Sequence, residues 1–371
     1  MALLDAPPAP VPASGVPVDP GYAEMRKVKL GTVRAAFSPE VYERSNAKAF
    51  GWLAFDVALY AVLLAGVYVV PGILLKLLLG VLLGVAVALL FVWAHDAAHG
   101  ALFGFTGTAE VLGSIAMLPS INMYRLWIYG HNKAHHGFTS FTMIDWIWAP
   151  KSPEQYQASS RWSRFVYRVE RSLPGCAVHY VLRVWWPAMV TFRPPKDVRK
   201  RNHFTRSRLV TLAYVVVASV LAFLFAGGIG GVIAAVVVPW VVFTYLLAFA
   251  VYLHHTHPSL PFFDQRDEWC ASIGQVACST IVRTPKVFET LTHGILVHTP
   301  HHVDTKIPFY RLQRAAADLQ PVVGDHMLEY RFTWSDVRQI FKTCQLYDYR
   351  AKTWYRFRDE PGRVAAGLEA A

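Results

Sequence analysis

Residues 72–99 read GILLKLLLGVLLGVAVALLFVWAHDAAH. This run carries a single lysine, Lys76, before it reaches the motif HDAAH, in which His95 and His99 are four residues apart. A helix of roughly 20 apolar residues spans a bilayer core, and side chains four positions apart lie on one face of a helix. The stretch therefore predicts a membrane-spanning helix that ends in two imidazoles directed the same way.

Three further apolar runs have spanning or near-spanning length. Together with the first, they cover about residues 52–70, 72–94, 209–226 and 230–253. Short connectors that contain glycine and almost no charge join the first run to the second and the third to the fourth,. Hydrophobic residues make up 54% of the chain and charged residues 16%, with a mean hydropathy of +0.30, which is typical of membrane proteins,. We expect an all-α integral membrane protein with two transmembrane hairpins and a helical cap.

The remaining segments delimit one domain. Residues 1–20 are rich in proline and alanine and lack the features of a signal peptide, so we expect a disordered tail there,. The folded domain is predicted over residues 21–350, followed by a C-terminal tail over residues 351–371. The apolar stretch 111–129 is broken by Pro119 and is expected to form a re-entrant or interfacial helix rather than a fifth span,.

The two hairpins decide which groups share a side of the bilayer. His95 follows the second run, and His254 and His255 follow the fourth, so these histidines are predicted on the same side. A run of basic residues between Arg161 and Arg208 lies there too, and the chain has a net charge of +11. The positive-inside rule makes this side cytoplasmic. Beside membrane spans, contact with anionic headgroups is favoured over nucleic-acid binding, so no nucleic-acid partner is expected.

Two more motifs repeat the histidine pattern, HNKAHH at residues 131–136 and HTPHH at residues 298–302. Two adjacent histidines on a helix direct their imidazoles about 100° apart around its axis. We call such a pair a fork, and the two forks in this chain indicate two ions side by side. Neutral imidazole suits iron, copper, zinc and nickel, and eight ligands are too many for one zinc. Two irons held by neutral nitrogen suit the activation of O₂ and attack on an unactivated C–H bond. The eight candidate ligands are His95, His99, His131, His135, His136, His298, His301 and His302.

Carboxylates within or near the motifs could orient these rings. Asp96, Asp145 and Asp304 could each accept the second ring N–H of a liganding histidine and so fix its tautomer,. The alternative is that these acids cap helices or pair with nearby arginines.

The motifs resemble those of the membrane fatty acid desaturase family, which carries three histidine boxes of these types. Three longer segments resemble the Δ12 (omega-6) acyl-lipid desaturases in order and spacing: LGTVRAAFSPEVYERS, AVYLHHTHPSLPFF and HGILVHTPHHVDTKIPFYRLQRA. The resemblance covers roughly residues 29–319. It implies that the eight histidines bind two iron ions, with O₂ as co-substrate. It further implies a ninth ligand at His293 and places His255 close to the site.

The same resemblance implies a substrate that is a fatty acyl lipid or an acyl thioester. Electrons must then come from an external ferredoxin-like or cytochrome donor, because the chain has no Cys₄ iron–sulfur pattern and no dinucleotide-binding fingerprint,. An apolar tunnel for the acyl chain is expected near Trp93, Leu118, Trp127 and Trp240.

Two alternatives to desaturation stay open at this point. The boxes HDAAH and HTPHH depart from the residues common in relatives, and similar chains hydroxylate, form triple bonds or oxidise carotenoids. A non-catalytic membrane metal or haem protein is an alternative of a different class. A transporter, however, would carry its histidines through the spans rather than at one face.

Overall fold

The computed structural model describes residues 22–104, 106–193 and 198–359, and the predicted tail over residues 1–20 lies outside them. Helices make up most of this part of the chain. The α-helices are α1 Tyr22–Met25, α2 Leu30–Arg34, α3 Asn46–Val69, α4 Ile73–Ala98, α5 Gly107–Met117, α6 Tyr124–Trp127, α7 His136–Phe138, α8 Pro153–Gln157, α9 Arg161–Glu170, α10 Cys176–His179, α11 Val198–Phe225, α12 Gly228–Val232, α13 Val238–His255, α14 Ala271–Val276, α15 Lys286–Leu291, α16 His298–Val303, α17 Leu312–Val323 and α18 Trp334–Thr343. Stretches of π-helix cover Ile128–His135, Tyr180–Trp185, Pro187–Thr191 and Ile233–Val237, and 3₁₀ turns cover Pro39–Tyr42, Leu118–Ser120, Phe309–Arg311 and Gly324–His326.

Two small sheets brace the cap. Strands β1 (Thr280–Arg283) and β2 (Leu328–Arg331) are parallel, whereas β3 (Leu346–Asp348) and β4 (Thr353–Tyr355) are antiparallel. Strand β4 lies within the predicted C-terminal tail, and its Trp354 is buried. A short strand without long apolar periodicity gives little signal in sequence, and the boundary of the tail stays a prediction. Residues 360–371 lie outside the described part of the chain.

Within the described residues, four helical stretches are long and apolar enough to cross a membrane, as predicted: Asn46–Val69, Ile73–Ala98, Asn202–Phe225 and Gly228–His255. Three of them begin before the predicted apolar runs, and the first begins six positions earlier. The hydroxyl of Ser45 accepts a hydrogen bond from the Lys48 backbone N–H and caps that helix,. Apolar patterning marks the part of a helix that faces lipid, whereas capping decides where the helix starts.

The two hairpins meet at their connectors. Lys76 Nζ donates to the Ala226 carbonyl oxygen at 2.5 Å, so the one lysine of the second span satisfies the end of α11,. Helix α4 also packs closely on α13, because Gly84 has no side chain: an added Cβ would lie 2.5 Å from Val242 Cβ. Trp93 Nε1 donates to the Ala49 carbonyl at 2.8 Å and ties α4 to α3. Helix α4 is therefore the centre of the bundle.

The stretch predicted to be re-entrant or interfacial forms α5, the 3₁₀ turn and α6. Helix α5 has 11 residues, which is too short for a bilayer core of about 30 Å,. It packs against α4 and adds no fifth span. The chain that follows it consequently stays at the end of the bundle where α4 finishes.

The segment ahead of the first span crosses over the third histidine motif. Arg34 Nε donates to the Val303 carbonyl at 2.7 Å, and Ser38 Oγ donates to Asp318 at 2.6 Å. The backbone N–H of Ser45 donates to the Tyr310 hydroxyl at 2.8 Å. These contacts hold α16 and α17 against the ends of the spanning helices.

Replacing Gly84 by alanine is expected to lower the unfolding temperature in detergent. The added methyl would lie 2.5 Å from Val242 Cβ and 2.9 Å from the Pro239 carbonyl oxygen, and overpacking of this kind destabilises by about 1–3 kcal/mol. Gly51→Ala is the matched control, because nothing lies within 4 Å of its added Cβ and alanine favours a helix. Equal unfolding midpoints for the two variants, measured by loss of monodisperse protein on heating, would contradict this packing.

Candidate metal centre

The three histidine motifs meet where α4 and α13 end. Their side chains form two groups, and within each group the candidate ligand atoms lie within 4.8 Å of one another. Group one contains His95, His99, His131, His136 and His301, and group two contains His135, His255, His298 and His302. The structure thus brings together all eight histidines of the three motifs, and the arrangement could hold metal ions.

Ring nitrogens face one another at short distances in group one. His95 Nε2 lies 2.9 Å from His131 Nε2 and 3.2 Å from His99 Nε2, and His131 Nε2 lies 3.1 Å from His136 Nε2. The ring of His301 approaches those of His95 and His99, with 4.7 Å between ring centroids in each case. Five donors from four helical segments therefore point at one small volume.

Local helix geometry decides which histidine enters which group. Histidines four residues apart share a group in HDAAH and HTPHH, whereas in HNKAHH His131 and His135 separate. The second motif lies in the π-helix Ile128–His135, whose i→i+5 bonding aligns His131 with His136,. His135 then turns to group two. The predicted fork is present in both doubled pairs, since adjacent histidines at 135/136 and at 301/302 belong to different groups.

The electrostatic setting favours neutral rings. Burial lowers the pKa of several imidazoles well below the ordinary value, and the neighbouring imidazoles lower it further: this holds for His99, His131, His136, His298, His301 and His302. Neutral imidazole is the form that binds a transition metal. The Nε2 atoms of His255 and His301 are also buried without a hydrogen-bond partner among the described residues. The donor set therefore fits a pair of metal ions that would satisfy these nitrogens.

Two of the three predicted carboxylates contact candidate ligands. Asp96 Oδ1 lies 3.2 Å from His95 Nδ1, and its other oxygen accepts the Phe309 backbone N–H at 2.7 Å. Asp145 Oδ2 lies 3.0 Å from His135 Nδ1 and also accepts the Ser140 backbone N–H at 2.9 Å. A carboxylate on Nδ1 leaves Nε2 free for a metal and fixes the ring.

Asp304 does not reach a histidine. Its carboxylate accepts from the Tyr42 hydroxyl at 3.1 Å and lies 3.8 Å from Arg34 Nε. Because the residue follows the last turn of α16 in extended conformation, its side chain points to the N-terminal segment. This contact agrees with the alternative stated above, that such an acid pairs with a nearby arginine instead of orienting a histidine.

Sequence reasoning missed two contacts behind group two. Gln275 Oε1 lies 3.0 Å from His302 Nδ1, and the Cys278 carbonyl oxygen lies 2.9 Å from His255 Nδ1. Both residues come from α14 and the turn after it, which carry no histidine or acid to draw notice. These oxygens orient the two rings as Asp145 orients His135.

The structure does not bring His293 to either group. Its Nε2 lies 2.8 Å from Asp56 Oδ2, and both side chains are buried between α3 and the loop after α15. His255, which the sequence placed only near the site, belongs to group two instead. His254 stacks on His298 with 3.7 Å between ring centroids but joins neither group.

A cavity of about 620 Å³ opens onto both groups. His95 and His131 line it from group one, and His135, His255 and His298 line it from group two. The rest of the wall is mainly apolar. Of the four residues named for the predicted tunnel, Trp127 lines this cavity, whereas Trp93, Leu118 and Trp240 lie outside its wall.

The residues that line the cavity differ in exposure. Trp148, Tyr180 and Phe243 line it and are buried, whereas Phe288 and Trp334 also line it and are exposed. The cavity therefore opens to the surface beside Phe288 and Trp334, and histidines of both groups are part of its wall.

Comparison with known proteins gives concordant matches. A family model described as fatty acid desaturase matches residues 70–334, which include all three histidine motifs. The sn-1 oleoyl-lipid 12-desaturase of Picosynechococcus sp. is 30% identical over 331 residues, which are 86% of this chain and 90% of that relative. The chloroplastic omega-6 fatty acid desaturase of Spinacia oleracea is 27% identical over 330 residues, which are 86% of this chain and 70% of that relative.

His255→Ala and His293→Ala should separate the two candidates for the ninth ligand. Removing one of four imidazoles from group two is expected to lower bound metal per chain by about half, because three remaining donors leave that ion weakly held. His293→Ala is expected to keep its metal and lose thermal stability, because Asp56 loses its buried partner,. Elemental analysis of the purified variants measures the bound metal. A larger loss of metal in His293→Ala would contradict the geometry.

Asp145→Asn is expected to lower metal affinity about 10–100-fold, since partners of liganding histidines contribute that much. Asp304→Asn is the control and should bind metal like the unaltered protein, because Asp304 contacts Tyr42 rather than a histidine. Titration of the iron-loaded proteins with a competing chelator gives the affinities. Matching curves for the two variants would show that Asp145 does not support His135.

Proposed function

The chain belongs to the fatty acid desaturase family, and from this premise we propose that it forms a double bond at the Δ12 (omega-6) position of a lipid-linked acyl chain. It is an oxidoreductase of fatty acyl lipids, as its motifs predicted. The observation that carries the finer proposal is that both histidine groups line one apolar cavity. An acyl chain inside it can present a methylene pair to two metal ions at once.

We propose iron in both groups, with the ninth histidine at position 255. The donor set supports this, because it consists of imidazoles, and the buried Nε2 atoms of His255 and His301 have no hydrogen-bond partner among the described residues,. Bound iron would supply activation of O₂ and the removal of two hydrogens from adjacent methylenes. That His293 binds a metal stays a prediction. Its contact with Asp56 supports a different role, in which it holds the loop after α15 against α3.

The protein's own residues prepare this chemistry in two ways: they hold the imidazole rings in position, and they exclude water from the site. Asp96, Asp145 and Gln275 each contact the Nδ1 of one candidate ligand, which holds that ring with Nε2 directed inward,. The apolar wall excludes water, so the reactive volume contains the acyl chain and little else. A hydrocarbon chain has no polar group that the protein could bind, and its position must therefore come from the shape of the cavity.

The exposure of the lining residues supports one orientation of the acyl chain. The buried part of the wall, which includes Tyr180 and Phe243, suits the methyl terminus, because a polar group buried there would need a hydrogen-bond partner,. The opening beside Phe288 and Trp334 leaves the carrier outside. The relatives named as oleoyl-lipid and omega-6 desaturases support a lipid-linked oleoyl chain as substrate. An acyl thioester is the alternative carrier.

An external ferredoxin-like or cytochrome donor is proposed to supply electrons from the cytoplasmic side. Exposed Arg161 and Arg168 on α9 could attract an acidic partner,. Arg171 belongs to the same basic run but is fully buried, where it donates to the Trp148 carbonyl at 2.6 Å. Lys196, Arg199, Lys200 and Arg201 lie outside the residues whose side chains are described.

Fatty acid profiles of a host that lacks the activity test this function. Expression of the unaltered chain is expected to add a second double bond to endogenous monounsaturated chains, whereas His135→Ala should add none, because group two would lose a donor. His326→Ala is the control, since that half-buried histidine lies outside both groups. A hydroxylated or ketonised product with no new double bond, or equal profiles for the unaltered protein and His135→Ala despite good expression and iron loading, would contradict the proposal.

A further inference from the structure

Helix α15 presents an unusual surface at the opening of the cavity. Val287 is 72% exposed and Phe288 50%, and Trp334 beside the same opening is 56% exposed. None of these residues belongs to the four spanning stretches. Contiguous apolar side chains outside a membrane span mark a surface that something apolar covers.

Contacts with α3 give the depth of this surface. His293 follows α15 by two residues and contacts two residues of the first span: its Nε2 lies 2.8 Å from Asp56 Oδ2, and its ring centroid lies 5.1 Å from that of Trp52. Asp56 is four residues inside the apolar run that starts at Trp52, or about 6 Å along the helix axis. The loop that carries α15 therefore lies below the level at which the apolar part of α3 begins.

Contacts with α13 give the same depth independently. The ring of Phe249 lies 6.2 Å from that of Trp334 and 6.5 Å from that of Phe332, measured between centroids. Phe249 precedes the end of its spanning helix, His255, by six residues, or about 9 Å,. Trp334 is therefore level with the body of a spanning helix.

We propose that α15 and Trp334 form a lip that is immersed in the bilayer, and that the acyl chain of a membrane lipid passes sideways over this lip into the cavity. The inference rests on the proposed function for the identity of the chain, but the immersion of the lip does not depend on it. The lip commits the enzyme to a lipid-linked substrate, because a water-soluble carrier would deliver its chain from the aqueous side.

The charges around the lip fit a lipid headgroup. Lys286 starts α15 and is exposed, and Arg331 at the end of β2 is exposed too. The register partner of Arg331, Arg283, is paired with Glu329. A lysine at this position can keep its ammonium at the surface while its stem covers apolar area. Lys286 and Arg331 would meet the phosphate of a headgroup while the chain enters below them.

Fluorescence quenching in lipid nanodiscs tests the immersion directly. A polarity-sensitive label on Val287→Cys, in a background with Cys270→Ser, is expected to be quenched by lipids brominated in the acyl chain and shielded from aqueous iodide. Ala351→Cys is the matched control, since this exposed residue lies in the β3–β4 turn, and it should behave in the opposite way. Iodide quenching of the Val287 label as strong as that of the control would overturn the proposal.

The path of the substrate needs a second measurement. Val287→Asp is expected to lower turnover of lipid-linked acyl chains in vesicles at least several-fold without loss of iron, whereas Ala351→Asp should leave turnover unchanged. A rise in the concentration of electron donor needed for half-maximal rate, with lipid turnover intact at saturating donor, would make the surface a protein docking site and overturn the proposal. If the unaltered protein desaturates nothing, the proposed function fails, while the quenching result still decides whether the lip is immersed.

Discussion

The fold depends on bringing many imidazole nitrogen atoms face to face in a largely buried interior. Group one alone directs Nε2 atoms of His95, His99, His131 and His136 at one another at 2.9–3.2 Å. Uncharged rings in this arrangement leave acceptors unsatisfied, and a buried unsatisfied nitrogen costs about 1–3 kcal/mol. Only a bound cation, or a surrounding structure rigid enough to hold the rings, makes the arrangement tolerable. The paired hairpins provide that rigidity, since α4 and α13 pack closely where Gly84 of α4 faces Val242 of α13.

The π-helix in the second motif decides how many of its histidines enter each group. An α-helix would align His131 with His135 and would place His136 to one side. The wider turn aligns His131 with His136, so one short segment supplies two donors to group one and one to group two. The short α-helix α16 supplies the reverse division, two to group two and one to group one. The two motifs are therefore complementary, and neither could be replaced by a copy of the other.

The limits of prediction follow from which contacts are local. The four spans and the three histidine motifs depend on patterns within about twenty residues, so the sequence was sufficient to predict the spans and the convergence of the eight box histidines. The donor outside the motifs was not predictable from spacing: His293 and His255 both lie near boxes, but His293 contacts Asp56 in a distant helix, whereas His255 joins group two. Gln275 gives no sequence signal at all. The role of Asp304 stays a prediction, and no local pattern indicates its contact with Tyr42, 262 positions away in the N-terminal segment.

The exclusion of water from the site also limits the routes by which a substrate can reach the histidines. Apart from its histidines the wall is mainly apolar and offers little to attract a headgroup, so the reactive chain must leave one apolar environment for another,. An opening onto water would interrupt that path and would expose the site whenever the cavity is empty. An opening at the level of Asp56 and Phe249, below the ends of the spanning helices, faces lipid tails whether or not substrate is bound. Buried imidazoles and an exposed apolar rim are thus two consequences of one requirement, that water stay out of the path from bilayer to metal.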